Sequence, residues 1–213
     1  MEAALLDAAA AHVRDGGLVA YPTETVWGLG ADADSDRALA GLRRWKGRAD
    51  DAPISILVSG ADALAGLGFG HCAPALELAK RFWPGPLTLV LPCERRYARG
   101  IAREDGAVGV RCSPHPVAAA LASRVQALGA GPLTATSLNE SGTAPATRLS
   151  EARQACERPA DEKPPLLVDV GLDAGGAAPS TVLDLTGADA LVLRWGALSE
   201  RDLAPALQEI MPS

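Results

Sequence analysis

Apolar positions along this chain switch repeatedly between helical and strand spacing. Leu5, Ala9 and Val13 share one stripe and Gly16-Gly17 follows, which predicts a helix over 3–14. The apolar run Leu18–Tyr21 ends at Pro22 and predicts a short buried strand that hands its next residues to a loop. Asp34 or Ser35 can cap a helix through Leu39 and Leu42 to Trp45, and Ile54–Val58 predicts the next strand. A helix near 73–82 is broken by Pro84-Gly85-Pro86, before strands over Leu87–Leu91 and Ala107–Cys112. Val117, Leu121, Val125 and Leu128 repeat at helical spacing, and Pro132–Ser137 returns to strand.

The last third is looser. Residues 140–148 and 157–165 are polar and rich in Pro, Ser, Thr and Ala, and 171–179 is rich in glycine, so all three read as loops or lids. Short strands are predicted at 166–170, 181–185 and 191–194, and Ser199 with Asp202 forms a weak capping box before a final helix. Helices alternate with strands until this point and three strands then follow in succession. The expected class is therefore α/β with a mixed parallel and antiparallel sheet flanked by helices.

Composition narrows the function. A chain of 213 residues can bury one substantial core, so a single domain over 1–213 is expected. Its 48% hydrophobic and 22% charged content is that of a globular protein, and no apolar run is long enough to cross a bilayer. The N-terminus has no basic region ahead of its apolar stretch, which predicts a cytoplasmic location without a signal peptide. Cys72, Cys93, Cys112 and Cys156 are scattered without metal-ligand spacing. The net charge of −6 disfavours general nucleic-acid affinity. Two basic runs stand out locally. Arg95, Arg96, Arg99 and Arg103 read as a solvated face. Arg43, Arg44, Lys46 and Arg48 are more suggestive, because lysine is rare here (3 against 17 arginines), so a compact point charge at position 46 departs from the local habit.

Candidate chemistry gathers at strand ends. Thr23, Glu24 and Thr25 follow the first strand, at the edge where open α/β sheets hold ligands. Lys46 and Arg48, Arg111, Thr136, Ser137 and Asn139, Ser180 and Thr181, and Arg194 each stand at or near the end of an apolar segment. Converging, they would line a cationic, donor-rich pocket suited to a substrate with several negative charges. Neither a Walker-type phosphate loop nor a dinucleotide fingerprint is present. Ser137 has no base beside it in sequence, and no G-x-S-x-G supports a serine hydrolase.

The segments Y-P-T-E-T-V-W-G-L-G, K-G-R, W-P-G-P-L-T-L-V-L, V-G-V-R-C-S-P-H-P, T-S-L-N-E-S-G, P-S-T-V-L-D-L and L-R-W-G-A-L occur in that order. In this the chain resembles the YrdC/Sua5 family of threonylcarbamoyl-AMP synthases from about Gly16 to Leu198. The resemblance implies a twisted sheet around a large cationic cavity. There L-threonine, bicarbonate or CO2 and ATP would give threonylcarbamoyl-adenylate and pyrophosphate, a nucleotidyl transfer, with Mg2+ accompanying ATP. The product would pass to a transfer machinery that modifies adenosine 37 of tRNA (t6A). By residue, the resemblance implies ATP contacts from Lys46, Arg48, Ser137, Asn139 and Arg194, with Lys46 and Arg48 the catalytic charges. Thr23, Arg111 and Ser180 would surround L-threonine, and no residue is a metal ligand.

Where relatives often carry Tyr, His, Ala and Pro, this chain has Trp27, Leu57, Leu138 and Trp195. Leu57 bears on threonine selectivity, while Trp27 and Trp195 are expected to fill core or cavity wall. Glu24 would pair with an arginine or aid Mg2+. The chain ends soon after the resemblance does, as the short single-domain bacterial type would. Two alternatives stay open: a paralogue of different activity, and a module that binds double-stranded RNA or tRNA.

Overall fold

The computed structural model describes residues 2–47, 53–158, 162–176 and 178–211. Its helices are α1 (Glu2–Arg14), α2 (Asp36–Lys46), α3 (Ala73–Phe82), α4 (Pro116–Ala127), α5 (Leu149–Glu157) and α6 (Glu200–Ile210). Its strands are β1 (Val19–Tyr21), β2 (Gly28–Gly30), β3 (Ser55–Leu57), β4 (Leu87–Pro92), β5 (Ala107–Arg111), β6 (Thr134–Ser137), β7 (Leu166–Leu167), β8 (Thr181–Asp184) and β9 (Leu191–Arg194). They form a sheet of order β7-β1-β2-β6-β3-β5-β4-β8-β9. Pairs β1/β7, β3/β5 and β4/β8 are parallel and the others antiparallel, so the sheet is mixed as expected.

Side-chain alternation divides this sheet into two unequal faces. Ile56, Leu87, Leu89, Leu91, Val108, Val110 and Leu183 point to one face, where they pack with Leu39, Leu42 and Trp45 of α2, Leu78 of α3 and Leu203 of α6. On the other face Val19, Tyr21 and Leu57 meet Leu6, Ala9 and Val13 of α1 and Val117, Leu121 and Val125 of α4. The smaller cluster reaches no further than β3, so α1 and α4 cover only the β1 side. Among the described residues no helix covers the same face of β5, β4, β8 and β9.

Local sequence explains the boundaries. Ser35 caps α2 by accepting from Ala38 N, and Gly47 closes the helix at φ 58°, a left-handed conformation that suits glycine. Pro116 at the first turn and His115 as N-cap start α4. At α6 the Asp202 carboxylate makes its bond of the predicted capping box, accepting from Ser199 N at 2.8 Å and also from Ser199 Oγ. Three elements differ from the sequence expectation. Gly28–Gly30 is a strand although G-L-G carries no strand propensity; it is held between β1 and β6 by tertiary pairing. Leu149–Glu157 is a helix, with Glu151 accepting from the Thr147 and Arg148 amides. The expected strand over 166–170 narrows to two residues. It stands at the sheet edge opposite β8 and β9.

The glycines of β2 answer a steric demand. A Cβ at Gly28 would lie 2.8 Å from Tyr21 Cζ, and the Tyr21 ring is pinned by its hydroxyl, which donates to Thr134 O at 2.9 Å. Gly28→Ala should therefore destabilise the fold by about 1–3 kcal/mol, as overpacking of a filled core does. Urea denaturation would show this as a lowered midpoint at an unchanged m-value.

Candidate functional site

The uncovered part of the sheet face forms a cavity of about 280 Å³. Strand register sets its floor. Leu57 of β3, Arg111 of β5, Thr88 of β4, Val182 of β8 and Arg194 of β9 are successive partners, one row across five strands. Arg111 and Arg194 are three strand spacings apart, roughly 14 Å. Both line the cavity, with small residues Gly109 and Ala135 and apolar Val90 between and beside them. This puts two arginines in one row of the same cavity, with short side chains among its lining.

Each guanidinium has a distinct setting. Arg194 donates to Ser180 O through Nη2 at 2.8 Å and Nε at 3.2 Å, and among the described residues it forms no ion pair with a carboxylate. Burial, and then the positive charge of Arg111, hold its pKa below the ordinary arginine value. An anion between the two would relieve that repulsion. Arg111 donates through Nη2 to Glu24 Oε1 at 2.6 Å and to Thr25 Oγ1 at 2.7 Å. Its Nε is buried with no acceptor among the described residues, as is Nε1 of Trp27 on the same cavity wall.

Hydroxyls complete the lining. Ser180 Oγ lies 2.8 Å from Thr88 Oγ1. Thr23 Oγ1 donates to Val26 O at 2.6 Å and lies 3.0 Å from Thr25 Oγ1, which locks the turn that leaves β1. The glycine-rich 171–179 segment presses on this turn: Gly175 N donates to Thr23 O and Gly176 N to Thr25 O, both within 3.0 Å. A Cβ at either glycine would stand 3.0 Å from Glu24 O, so only bare backbone passes there.

The structure thus brings Thr23, Arg111, Thr136, Ser137, Ser180 and Arg194 into one cavity. Lys46 and Asn139 stand just behind it. Lys46, only 2% exposed, donates through Nζ to Ser137 O at 2.5 Å, Asn139 O at 2.9 Å and Asn139 Oδ1 at 3.1 Å. Ser137 Oγ donates to the same Asn139 Oδ1 at 2.5 Å, so the lysine and the S-L-N turn form one unit. Arg48 lies outside the described residues. Thr181, expected beside Ser180, instead turns away and holds the chain after β9, donating to Leu198 O and accepting from Gly196 N.

Two sequence expectations require correction. Arg103, read within a solvated charge run, lines the cavity and pairs with Asp184 at 2.5 Å and with Asp105. Trp195, expected in core or cavity wall, is 48% exposed beyond β9, whereas Trp27 does line the cavity. Glu24 takes the arginine, as one of its two expected roles. Among the described residues no group of three or more His, Cys, Asp and Glu could hold a metal ion. The donor set is one of N–H and O–H groups, suited to anionic oxygens. No helix of the described residues is long and apolar enough to cross a membrane. Thr88 and Arg103 were not readable as site residues, because nothing in sequence pairs β4 with β5 and β8.

The sequence model of the Sua5/YciO/YrdC family, described as telomere recombination, matches residues 11–196. A protein of Halorhodospira halophila named threonylcarbamoyl-AMP synthase is 41% identical over 146 residues, 68% of this chain and 74% of that protein. The structure of Pyrococcus abyssi Sua5 complexed with L-threonine superposes with a TM-score of 0.82 at 33% identity, over 97% of this chain. This chain spans only 57% of that longer protein. Escherichia coli YciO shares the fold at a TM-score of 0.79 and 22% identity, over 95% of this chain and 93% of its own.

One consequence of the site's rim can be measured. Ser113 accepts from His115 N, and His115 Nδ1 accepts from Val117 N, which requires an unprotonated nitrogen. Burial lowers the His115 pKa below its ordinary 6.5. As pH falls through that ordinary value the unfolded chain takes up a proton that the folded chain refuses, so stability falls with it. His115→Asn keeps a capping acceptor and should flatten this loss between pH 7 and 5, read as denaturation midpoints across the range. An unaltered slope would remove His115 as its source.

Proposed function

The chain belongs to the Sua5/YciO/YrdC family, and on that premise we propose that it is a threonylcarbamoyl-AMP synthase. It would join L-threonine, bicarbonate or CO2 and ATP into threonylcarbamoyl-adenylate, releasing pyrophosphate, for t6A modification of tRNA. The observation that carries this reading is the register row, which sets two arginines three strands apart in one cavity. A substrate with more than one anionic group is what such a cavity fits.

The physical problem is to bring two anions together. The carboxylate on threonine's nitrogen attacks the α-phosphorus of ATP, a bond forms from its oxygen, and pyrophosphate leaves with the electron pair of the broken P–O bond. Arg111 would hold the amino-acid carboxylate, with Thr23 and Ser180 as its hydroxyl neighbours. Ser137 on β6 and Arg194 on β9 flank Arg111 across the sheet, and both would face the nucleotide, while Asn139 and Lys46 would fix Ser137 in place and the lysine adds positive potential. Arg48, two residues beyond Lys46, completes the nucleotide charges in this reading. Mg2+ would come as part of the ATP substrate, since the side chains described here offer hydroxyl and N–H donors rather than a carboxylate cage. Orientation and electrostatics supply the acceleration, and no strong protein base is needed. The reaction makes the chain a nucleotidyltransferase.

Pyrophosphate release should require ATP, L-threonine and bicarbonate together; release that persists when threonine or bicarbonate is omitted would overturn the synthase reading. Arg194→Ala should raise the KM for ATP by about 10- to 100-fold, the worth of a charge-assisted hydrogen bond, and change the KM for threonine far less. Equal effects on both would place Arg194 elsewhere. Salt titration of tRNA binding addresses the alternative module, which requires affinity that survives physiological salt.

A further inference from the structure

Glu24 is not among the cavity's lining residues, yet it is the pivot of the network beneath them. Its Oε1 accepts from Arg111 Nη2 at 2.6 Å, and its Oε2 accepts from Ser113 Oγ. Ser113 in turn accepts from His115 N, at the start of α4. The backbone on both sides of Glu24 is clasped by the glycine-rich segment through Thr23 O and Thr25 O. The carboxylate is therefore fixed from β5 and from the α4 cap, while the glycine-rich segment holds the backbone that carries it.

This fixation bears on what Arg111 can offer. A guanidinium binds a carboxylate best through two parallel N–H groups, and it must be held flat in one orientation to do so. Glu24 and Thr25 both engage the same nitrogen, Nη2, while Nε is left buried without an acceptor. The Arg111 side chain is 11% exposed and that of Glu24 17%, so the pair is largely shielded from water.

We infer that Glu24 is a positioning residue for the amino-acid substrate, orienting Arg111 so that its remaining N–H groups meet the substrate carboxylate. The inference rests on the synthase reading. It assigns Glu24 no contact with the reacting atoms and no metal. Neutralising the acid would also free Arg111 to turn toward other acceptors, so the loss would fall on threonine and spare the nucleotide.

Glu24→Gln tests this, because the amide keeps the volume but offers one acceptor where the carboxylate offers two. In pyrophosphate-release kinetics the KM for L-threonine should rise about tenfold or more, with kcat and the KM for ATP within about threefold of the starting chain. A merely structural role would move all three together. The second measurement is a double-mutant cycle: once Arg111→Lys has removed the forked partner, adding Glu24→Gln should change the threonine KM by less than about twofold. Glu24→Gln with an unaltered threonine KM, or with full effect in the Arg111→Lys background, overturns the inference alone. Threonine-independent pyrophosphate release by the unaltered chain overturns the synthase reading and this inference with it. Should Glu24→Gln fold poorly, Ser113→Ala, which loosens the same carboxylate from its other side, should give a smaller rise confined to the same KM; no rise there would also count against it.

Discussion

The pairing of β4 with β5 on one side and with β8 on the other is the constraint on which the cavity rests. Those ladders put Arg111, Thr88, Val182 and Arg194 in one row, and alternation sends the row to the face that no helix among the described residues covers. Shift either ladder by one residue and every side chain changes face, so Leu87, Leu89 and Leu91 would leave the core for the cavity. The burial of those leucines is therefore what keeps the arginines where they are. Core packing and ligand geometry are two readings of one register.

Charge is managed in tiers around that row. Arg103 carries two aspartates, Arg111 shares one glutamate with a serine, and Arg194 leans on a backbone carbonyl. Compensation thus differs from one arginine to the next and is least at Arg194, which also feels Arg111. A cavity that offers cations cannot neutralise them fully, nor can a stable fold leave them all bare. Unequal compensation is how this chain meets both demands.

Much of this could be read before any coordinates. The apolar stripe of α1, the capped α2 and the strands around Leu89 and Val110 follow from periodicity and turn chemistry, and they appeared near their expected places. Thr23, Arg111, Ser137, Ser180 and Arg194 were marked by standing at strand ends in recognisable motifs. What escaped depends on partners far away in sequence. The strand at Gly28–Gly30 exists because β1 and β6 pair with it, not because G-L-G prefers extension. Arg103 looked like part of a solvated run because its aspartate at 184 is 81 residues distant. Glu24 could be paired with an arginine on chemical grounds, but which arginine, and the serine behind it, are facts of the fold.

The order of strands also says something about how the chain must be made. Without β7, β8 and β9 the sheet would end at β1 on one side and β4 on the other. Synthesis runs from the N-terminus, so until residues 166–194 emerge the nascent chain carries two unsatisfied edges, one of them the six-residue apolar strand Leu87–Pro92. The segment that seals both edges also delivers Ser180 and Arg194. Two cavity-lining groups and protection from aggregation therefore arrive together, in the same late stretch of translation.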